Sequence, residues 1–260
     1  MKNKSDDPTF RGHTDLLQWE VYEDRRAMGM AVARAMAKKI SEIIARKNSV
    51  NIIFATAPSQ NEFLSSLTEM KGLDWARVNA FHQDEYIGLP DTNPQRFGIY
   101  FHEHIADRVR LGQFFLLNGN ADPDEECQRY SQVLEDYPVD ICCGGIGENG
   151  HIAFNDPHVA DFFDPVLVKK VTLDETCRQQ QIHDGCFERI EDVPKMAITL
   201  TVPALMRASS VLVIVPGPTK AEAVRRALTG PISEDFPATV YRRHRSAVLY
   251  LDRVAARLII

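Results

Sequence analysis

The chain predicts an α/β fold: a mostly parallel sheet with helices on both faces, built as a single domain. Two observations carry this. Apolar runs alternate with amphipathic segments from about residue 20 to the end, the order in which strands and crossover helices follow one another. The runs themselves, such as SVNIIF, VDICC and SSVLVIV, are near-continuously apolar, as strands buried on both faces are. No repeat, low-complexity tract or linker divides the 260 residues.

Taken in order, residues 1–15 read as a polar, loose N-terminal extension, and residues 16–260 as the folded domain. LLQWEVYE alternates and predicts a short strand. Asp24 can cap a helix running to about Arg46, because Met28, Ala31, Val32, Met36 and Ile40 recur at helical spacing. SVNIIFATAPSQ is a strand entering a loop, and NEFLSSLTEM the next helix. ARVNAFHQDEYIGL is a strand followed by a loop. Residues 96–109 and 122–136 read as helical. VDICCGGIG is a strand running into glycines, LVKKVTL a short strand, and MAITLTVPALMRA an apolar segment entering a helix. SSVLVIVPGPTKAEAVRRALTG gives strand, loop and helix, and SAVLYLD the last strand. Ligands of such sheets bind at the carboxyl ends of the strands. Four loops fall there: ATAPSQ, HQDEY, GIGENGH and PGPTK.

Composition narrows the function. The chain is 44% hydrophobic and 25% charged, with a net charge of −6 and no Lys/Arg block, which argues against nucleic acid as a main partner. The five cysteines form no Cys-x-x-Cys pair and read as reduced, buried thiols; a nucleophilic one would need an electropositive neighbourhood. The N-terminal segment lacks the apolar core of a signal peptide, and no run approaches the ~20 apolar residues of a membrane span. A cytoplasmic protein without a membrane partner is expected.

Each loop admits two readings. In ATAPSQNEF, Thr56, Ser59 and Gln60 add donors to a helix start that suits an anion, though taken alone the loop fits an ordinary strand–helix connection capped by Ser59 or Asn61 better. In PGPTKAEAV, Lys220 opposes the helix dipole unless an anion binds there; a lysine snorkelling into water is the alternative. In HQDEY, adjacent strand residues face opposite ways, so if Asp84 faces a cleft then Glu85 faces away or serves a structural bond. A carboxylate can move a proton at a carbon next to a carbonyl, while loop-capping acids are common. In GGIGENGHIAFNDP, Gly147 and its fellow glycines permit tight turns, and the pattern does not match a dinucleotide fingerprint. His151 has acids on both sequence sides, Glu148 and Asp156. A carboxylate on one ring nitrogen fixes the tautomer and suits general acid–base work. His158 and His183 are near in sequence but form no tight cluster, so no metal is expected.

Together FHQDEYIGLP, LLNGNADPDEECQRY, GGIGENGHIAFNDP, VPGPTKAEAV and PATVYRRH resemble the glucosamine-6-phosphate deaminase/isomerase family, a branch of the group that also holds 6-phosphogluconolactonases. The resemblance runs, with gaps, over nearly the whole chain, and GHIAFN followed by an acid and proline points to the deaminase branch. It implies an open Rossmann-like sheet. It implies ring opening of an amino-sugar phosphate, C1/C2 proton transfer and release of ammonia, without cofactor or metal. It implies Asp84 as the proton-transferring base, His151 as the ring-opening acid/base, Asp156 as its orienting acid, Lys220 as a phosphate ligand and Arg178 as the phosphate-binding arginine. The partner implied is a small-molecule sugar phosphate, and homo-oligomers are common in the family.

The chain also departs from that pattern. Asn149 stands where the family usually has aspartate, and an uncharged amide stabilises imidazolium less. Glu148, one residue earlier, is the expected compensation. Asp156 is one methylene shorter than the usual glutamate, and ATAPSQ lacks the usual glycines. Three readings follow: the deaminase/isomerase acting on glucosamine or galactosamine 6-phosphate, an isomerase or lactonase without ammonia release, and a non-catalytic sugar-phosphate sensor.

Overall fold

A computed structural model describes residues 7–260; part of the predicted N-terminal extension, residues 1–6, lies outside them. The main sheet has eight strands. They are β1 (Phe10–Thr14), β2 (Leu17–Tyr22), β3 (Val50–Phe54), β4 (Val78–His82), β6 (Gln113–Phe115), β7 (Ile141–Gly144), β10 (Ser210–Val215) and β11 (Ala247–Asp252), in the order β1-β2-β11-β10-β7-β3-β4-β6. Every pairing but β1–β2 is parallel. Residues 10–14, expected to be loose, instead pair antiparallel with β2, with Phe10 opposite Val21 and Thr14 opposite Leu17.

The helices are α1 (Arg25–Ile44), α2 (Asn61–Thr68), α3 (Phe97–Phe101), α4 (Pro123–Asp136), α5 (Glu175–His183), α6 (Val202–Met206) and α7 (Ala221–Thr229). Asp24 caps α1 as expected, accepting from the Ala27 N–H at 2.8 Å. The apolar stripe of α1 buries Met28, Val32, Met36 and Ile40 completely. Each such side chain stabilises the fold by about 1.5–3 kcal/mol relative to exposure. One core, holding α1 and α2, covers one face of the sheet, and a second, holding α4, α6 and α7, covers the other. This is the doubly covered architecture the apolar strands require.

A second sheet was not foreseen. Strand β5 (Asp84–Tyr86) lies in the segment read as a loop. It pairs antiparallel with β9 (Met196–Leu200), which also pairs with β8 (Val168–Thr172). The chain thus leaves the main sheet at the end of β4 and enters the small one within two residues, crossing at Gln83. Gln83 is fixed on both sides: its Nε2 donates to Cys143 O at 2.7 Å, and its carbonyl accepts from the Leu200 N–H at 2.9 Å.

The four central strands run β10-β7-β3-β4. Chain order reverses between β7 and β3, because β3 leads outward through β4 to β6 before the chain returns beside it as β7. The carboxyl ends of these strands carry the four loops singled out in the sequence. This is the crevice position of doubly wound sheets. Among the described residues, no helix is long and apolar enough to cross a membrane.

Candidate active site

A cleft of about 210 Å³ opens at this reversal point. Thr56 and Ser59 line it from the β3 loop, Asp84 from the start of β5, His151 from the β7 loop, and Lys220 from the β10 loop. Of the residues picked from sequence, these five meet in one cavity.

Asp84 is placed by the small sheet. It stands opposite Thr199 in register, and Thr199 Oγ1 accepts from the Phe154 N–H at 3.0 Å. Asn155 Nδ2 donates to Leu200 O at 2.8 Å. The strand carrying Asp84 and the loop carrying His151 are therefore tied to the same element, β9. Asp84 is only 8% exposed. Burial, then the neighbouring Glu85 carboxylate, push its pKa up to about 8.

Glu85 points the other way, as alternation along β5 demands. It does not line the cleft. Its carboxylate accepts from the Tyr86, Phe97 and Gly98 N–H groups at 2.9, 3.2 and 2.9 Å and so caps the start of α3. It makes a structural bond and does not reach a ligand in the cleft.

His151 sits on a tight turn. Gly150 has φ +85°, and a side chain there would meet the Phe236 ring at 2.5 Å. Gly147 lies under the imidazole: a Cβ at that position would stand 2.2 Å from His151 Cε1, so only glycine lets the ring lie where it does. The ring is held from Nδ1, which is 2.7 Å from Asn149 Oδ1 and 3.2 Å from Asp156 Oδ1. Burial raises the Asp156 pKa. The His151 hydrogen bond and charge, the Asn149 amide and the Asp174 N–H outweigh it and hold the acid below the usual carboxylate range. Asp156 therefore supplies the fixed charge beside the imidazole.

Glu148 does not. Its carboxylate turns away to His183 Nδ1 at 3.1 Å, and its backbone N–H donates to Gln180 Oε1 at 2.8 Å. The compensation expected of Glu148 comes from Asp156.

The cleft lining also carries two cations, Lys220 and Arg25. Lys220 is 6% exposed and lines the cavity without a hydrogen bond or ion pair among the described residues. Burial lowers its pKa, against the opposing pull of Asp184 and Glu148. Arg25 joins it there, with Nη2 2.9 Å from Pro58 O and 2.9 Å from Glu62 Oε2. Arg25 Nε, Thr56 Oγ1 and Gln60 Oε1 are buried without a hydrogen-bond partner, although Gln60 Nε2 donates to Ser59 Oγ at 2.8 Å. The unpaired donors among these, Arg25 Nε–H and the Thr56 hydroxyl, in a lining with two cations suit a multiply charged oxyanion, whereas Gln60 Oε1 is an acceptor.

Arg178 is elsewhere. Its guanidinium donates to the Ile190 and Val193 carbonyls, ties α5 to the turn after it, and takes no part in the cleft lining. Sequence reasoning missed Arg25, although it had the signal that marked Lys220: a cation in the first turn of a helix. It also missed Gln180, Gln181 and Asp184, which α5 and its C-terminal end bring to the cavity.

Among the described residues, two sets of potential metal donors each have their donor atoms within 4.8 Å: His151, Asp156 and Cys177, and Asp156, His158 and Asp174. Neither group is visible in the local sequence, because Asp174, the cap of α5, and Cys177, on it, come from a distant segment. In the first group, His151 Nδ1 and Asp156 are already engaged with Asn149. All five cysteines are unpaired, and burial pushes the Cys142 thiol up to about 12 and those of Cys127 and Cys186 up to about 11, away from nucleophilic behaviour.

Comparison with known proteins agrees with this geometry. The family model described as glucosamine-6-phosphate isomerases/6-phosphogluconolactonase matches residues 23–250. Glucosamine-6-phosphate deaminases of Bacillus cereus and Bacillus thuringiensis are each 37% identical over 228 residues, 87% of this chain and 85% of theirs. Among solved structures, a monomeric glucosamine-6-phosphate deaminase aligns with a TM-score of 0.84 at 31% identity, covering 92% of this chain and 99% of that one. A 6-phosphogluconolactonase from Shewanella baltica shares the fold, with a TM-score of 0.75 at 17% identity over 90% of this chain and 97% of that one. The chain belongs to the glucosamine-6-phosphate isomerase/6-phosphogluconolactonase family.

Proposed function

We propose that residues 16–260, with β1 extending their sheet, form an amino-sugar-phosphate deaminase/isomerase. It converts glucosamine 6-phosphate, or its galactosamine epimer, and water to the ketose 6-phosphate and ammonia. The observation that carries this is the placement of a buried carboxylate of raised pKa, Asp84, and an anchored imidazole, His151, in one cleft whose lining also holds Lys220 and Arg25. The two cations take the phosphate, with Thr56 and Ser59 as neutral donors. His151 takes the proton of the C1 hydroxyl and delivers one to the ring oxygen, opening the pyranose. Asp84 removes the C2 proton and returns it to C1. Water then adds at C2 and ammonia leaves.

The identity of the deaminase relatives, 37%, supports the same reaction here. The competing reading, isomerisation without ammonia release, rests on Asn149. The Asp156 carboxylate 3.2 Å from His151 Nδ1 provides the charge that Asn149 lacks and favours the deaminase. The test is an ammonia assay with glucosamine 6-phosphate and galactosamine 6-phosphate. Ammonia from one epimer at an enzymatic rate is the expected result. Binding of both sugars without turnover of either would replace this reading with a sugar-phosphate sensor.

A further inference from the structure

Behind His151 lies a cluster of three polar side chains whose hydrogen-bond pattern has one consistent solution. Asn149 Nδ2 is 2.8 Å from Asp156 Oδ1 and 2.8 Å from Asp174 Oδ2. Asn149 Oδ1 accepts from the His151 backbone N–H at 3.0 Å and lies 2.7 Å from His151 Nδ1. Asp174 is itself fixed: its Oδ1 accepts from the Cys177 N–H at 2.6 Å, capping α5, and its own N–H donates to Asp156 Oδ2 at 3.0 Å.

Ionised carboxylates only accept hydrogen bonds, so Asp156 and Asp174 both demand the nitrogen end of the Asn149 amide. Inverting the amide would set oxygen against oxygen at two contacts and an amide N–H against the His151 backbone N–H at a third, where the observed orientation has no such conflict. Asn149 Oδ1 is thereby left facing His151. It carries no hydrogen, so the imidazole hydrogen must sit on Nδ1, and Nε2 is the nitrogen left to exchange a proton with a ligand. A carboxylate at position 149 would do the reverse of help here, bringing three acids into contact in a buried site.

We infer that Asp174 is a positioning residue for His151: through its bond to Asn149 it locks the amide, and the amide selects the Nδ1–H tautomer. The inference rests on the reading of His151 as the ring-opening group. Capping α5 does not by itself call for a charge, since serine, threonine or asparagine caps a helix as well. The contact with Asn149 is what distinguishes aspartate at this position.

The test uses ¹⁵N NMR of the His151 imidazole in the ligand-free protein, with kcat and KM for glucosamine 6-phosphate measured alongside. The variants are Asp174→Ser, Asp174→Asn, Asn149→Asp and the double variant Asn149→Asp/Asp174→Asn. The wild type should show hydrogen on Nδ1. Asp174→Ser keeps a cap but loses the carboxylate, so the Nε2–H form should appear. Its kcat should fall about tenfold or more, short of the ~10⁴ that a wrong tautomer costs a Ser-His-Asp triad, with KM little changed. In the double variant the amide at 174 can donate to the carboxylate at 149, so it should exceed Asn149→Asp alone, while the contact between the carboxylates at 149 and 156 keeps it below the wild type. An Nε2–H wild type, an unchanged tautomer in a folded Asp174→Ser protein, or a double variant no better than Asn149→Asp would overturn the inference. The NMR signal needs no substrate. A protein that releases no ammonia but shows this tautomer control would sink the deaminase reading and leave the tautomer assignment intact.

Discussion

Asp156 Oδ1 lies 3.2 Å from His151 Nδ1, and the acid is completely buried. Four residues separate the two in sequence, and the turn between them carries Ala153 at φ +48°, with the Asn155 N–H and Nδ2 both donating to Ile152 O at 3.0 and 2.9 Å. The charge beside the His151 imidazole therefore comes from the acid that follows the histidine, with Asn149 wedged between Asp156 and Asp174.

Replacing Asp84 with asparagine keeps the shape of the side chain and removes the proton acceptor. Turnover should fall by about 10²–10⁴, the usual contribution of a general base. Protection against thermal unfolding by fructose 6-phosphate should persist, because Lys220 and Arg25 are untouched. Retained turnover would remove Asp84 from the reaction.

The raised Asp84 pKa sets two pH dependences with definite signs. As a base it works ionised, so kcat/KM should rise with pH through about 8 in the wild type. Its folded pKa lies above the ordinary 3.8, so the stability it contributes is fully present below that value and lost as pH rises through about 8. Asp84→Asn should therefore match the wild type in Tm at pH 5 and exceed it at pH 9. Thermal melts at the two pH values check this; a variant less stable at pH 9 than at pH 5, relative to wild type, would contradict it.

Gly147→Ala tests the packing under the imidazole. The new methyl would meet the ring at 2.2 Å, and the ring must move. The expectation is a folded protein with unchanged affinity for inorganic phosphate and a kcat lowered at least tenfold, since small misplacements of an acid/base group are costly.

Lys220 and Arg178 should behave oppositely. Lys220→Met removes a charge-assisted bond to phosphate, worth about 1.5–3 kcal/mol, and should raise KM about 10- to 100-fold. Arg178→Met strips the Ile190 and Val193 carbonyls of their donor, and should lower Tm while leaving KM near its original value. Steady-state kinetics and melting curves on the two variants separate the roles.

What could be read in the sequence was what local pattern encodes. The capped stripe of α1 and the apolar strands β3, β4, β7, β10 and β11 were legible because burial on both faces leaves no polar alternation. Strand β5 was not, because its partner β9 lies more than a hundred residues away and only that pairing makes HQDEY a strand. Strand β1 is exposed at the sheet edge and carries little apolar signal. The same limit governs the site. Asp84, His151, Lys220, Thr56 and Ser59 sit at strand ends, which the topology places together. Glu148 and Arg178 were misplaced because their helix and turn directions, rather than their residue types, decide what they touch. Asp174 had no local signal at all, lying eighteen residues from the acid it supports.

In the proposed reaction one buried carboxylate, Asp84, moves a proton between C2 and C1 while nitrogen leaves as ammonia. Proton NMR of glucosamine 6-phosphate and galactosamine 6-phosphate in D₂O, with ammonia measured in parallel, tests it most directly. The expected products are the ketose 6-phosphate and one equivalent of ammonia, with deuterium at C1 to the extent that the proton held on Asp84 exchanges with solvent before it is delivered, all abolished together in Asp84→Asn. Deuterium exchange without ammonia, or ammonia release that survives Asp84→Asn, would contradict it.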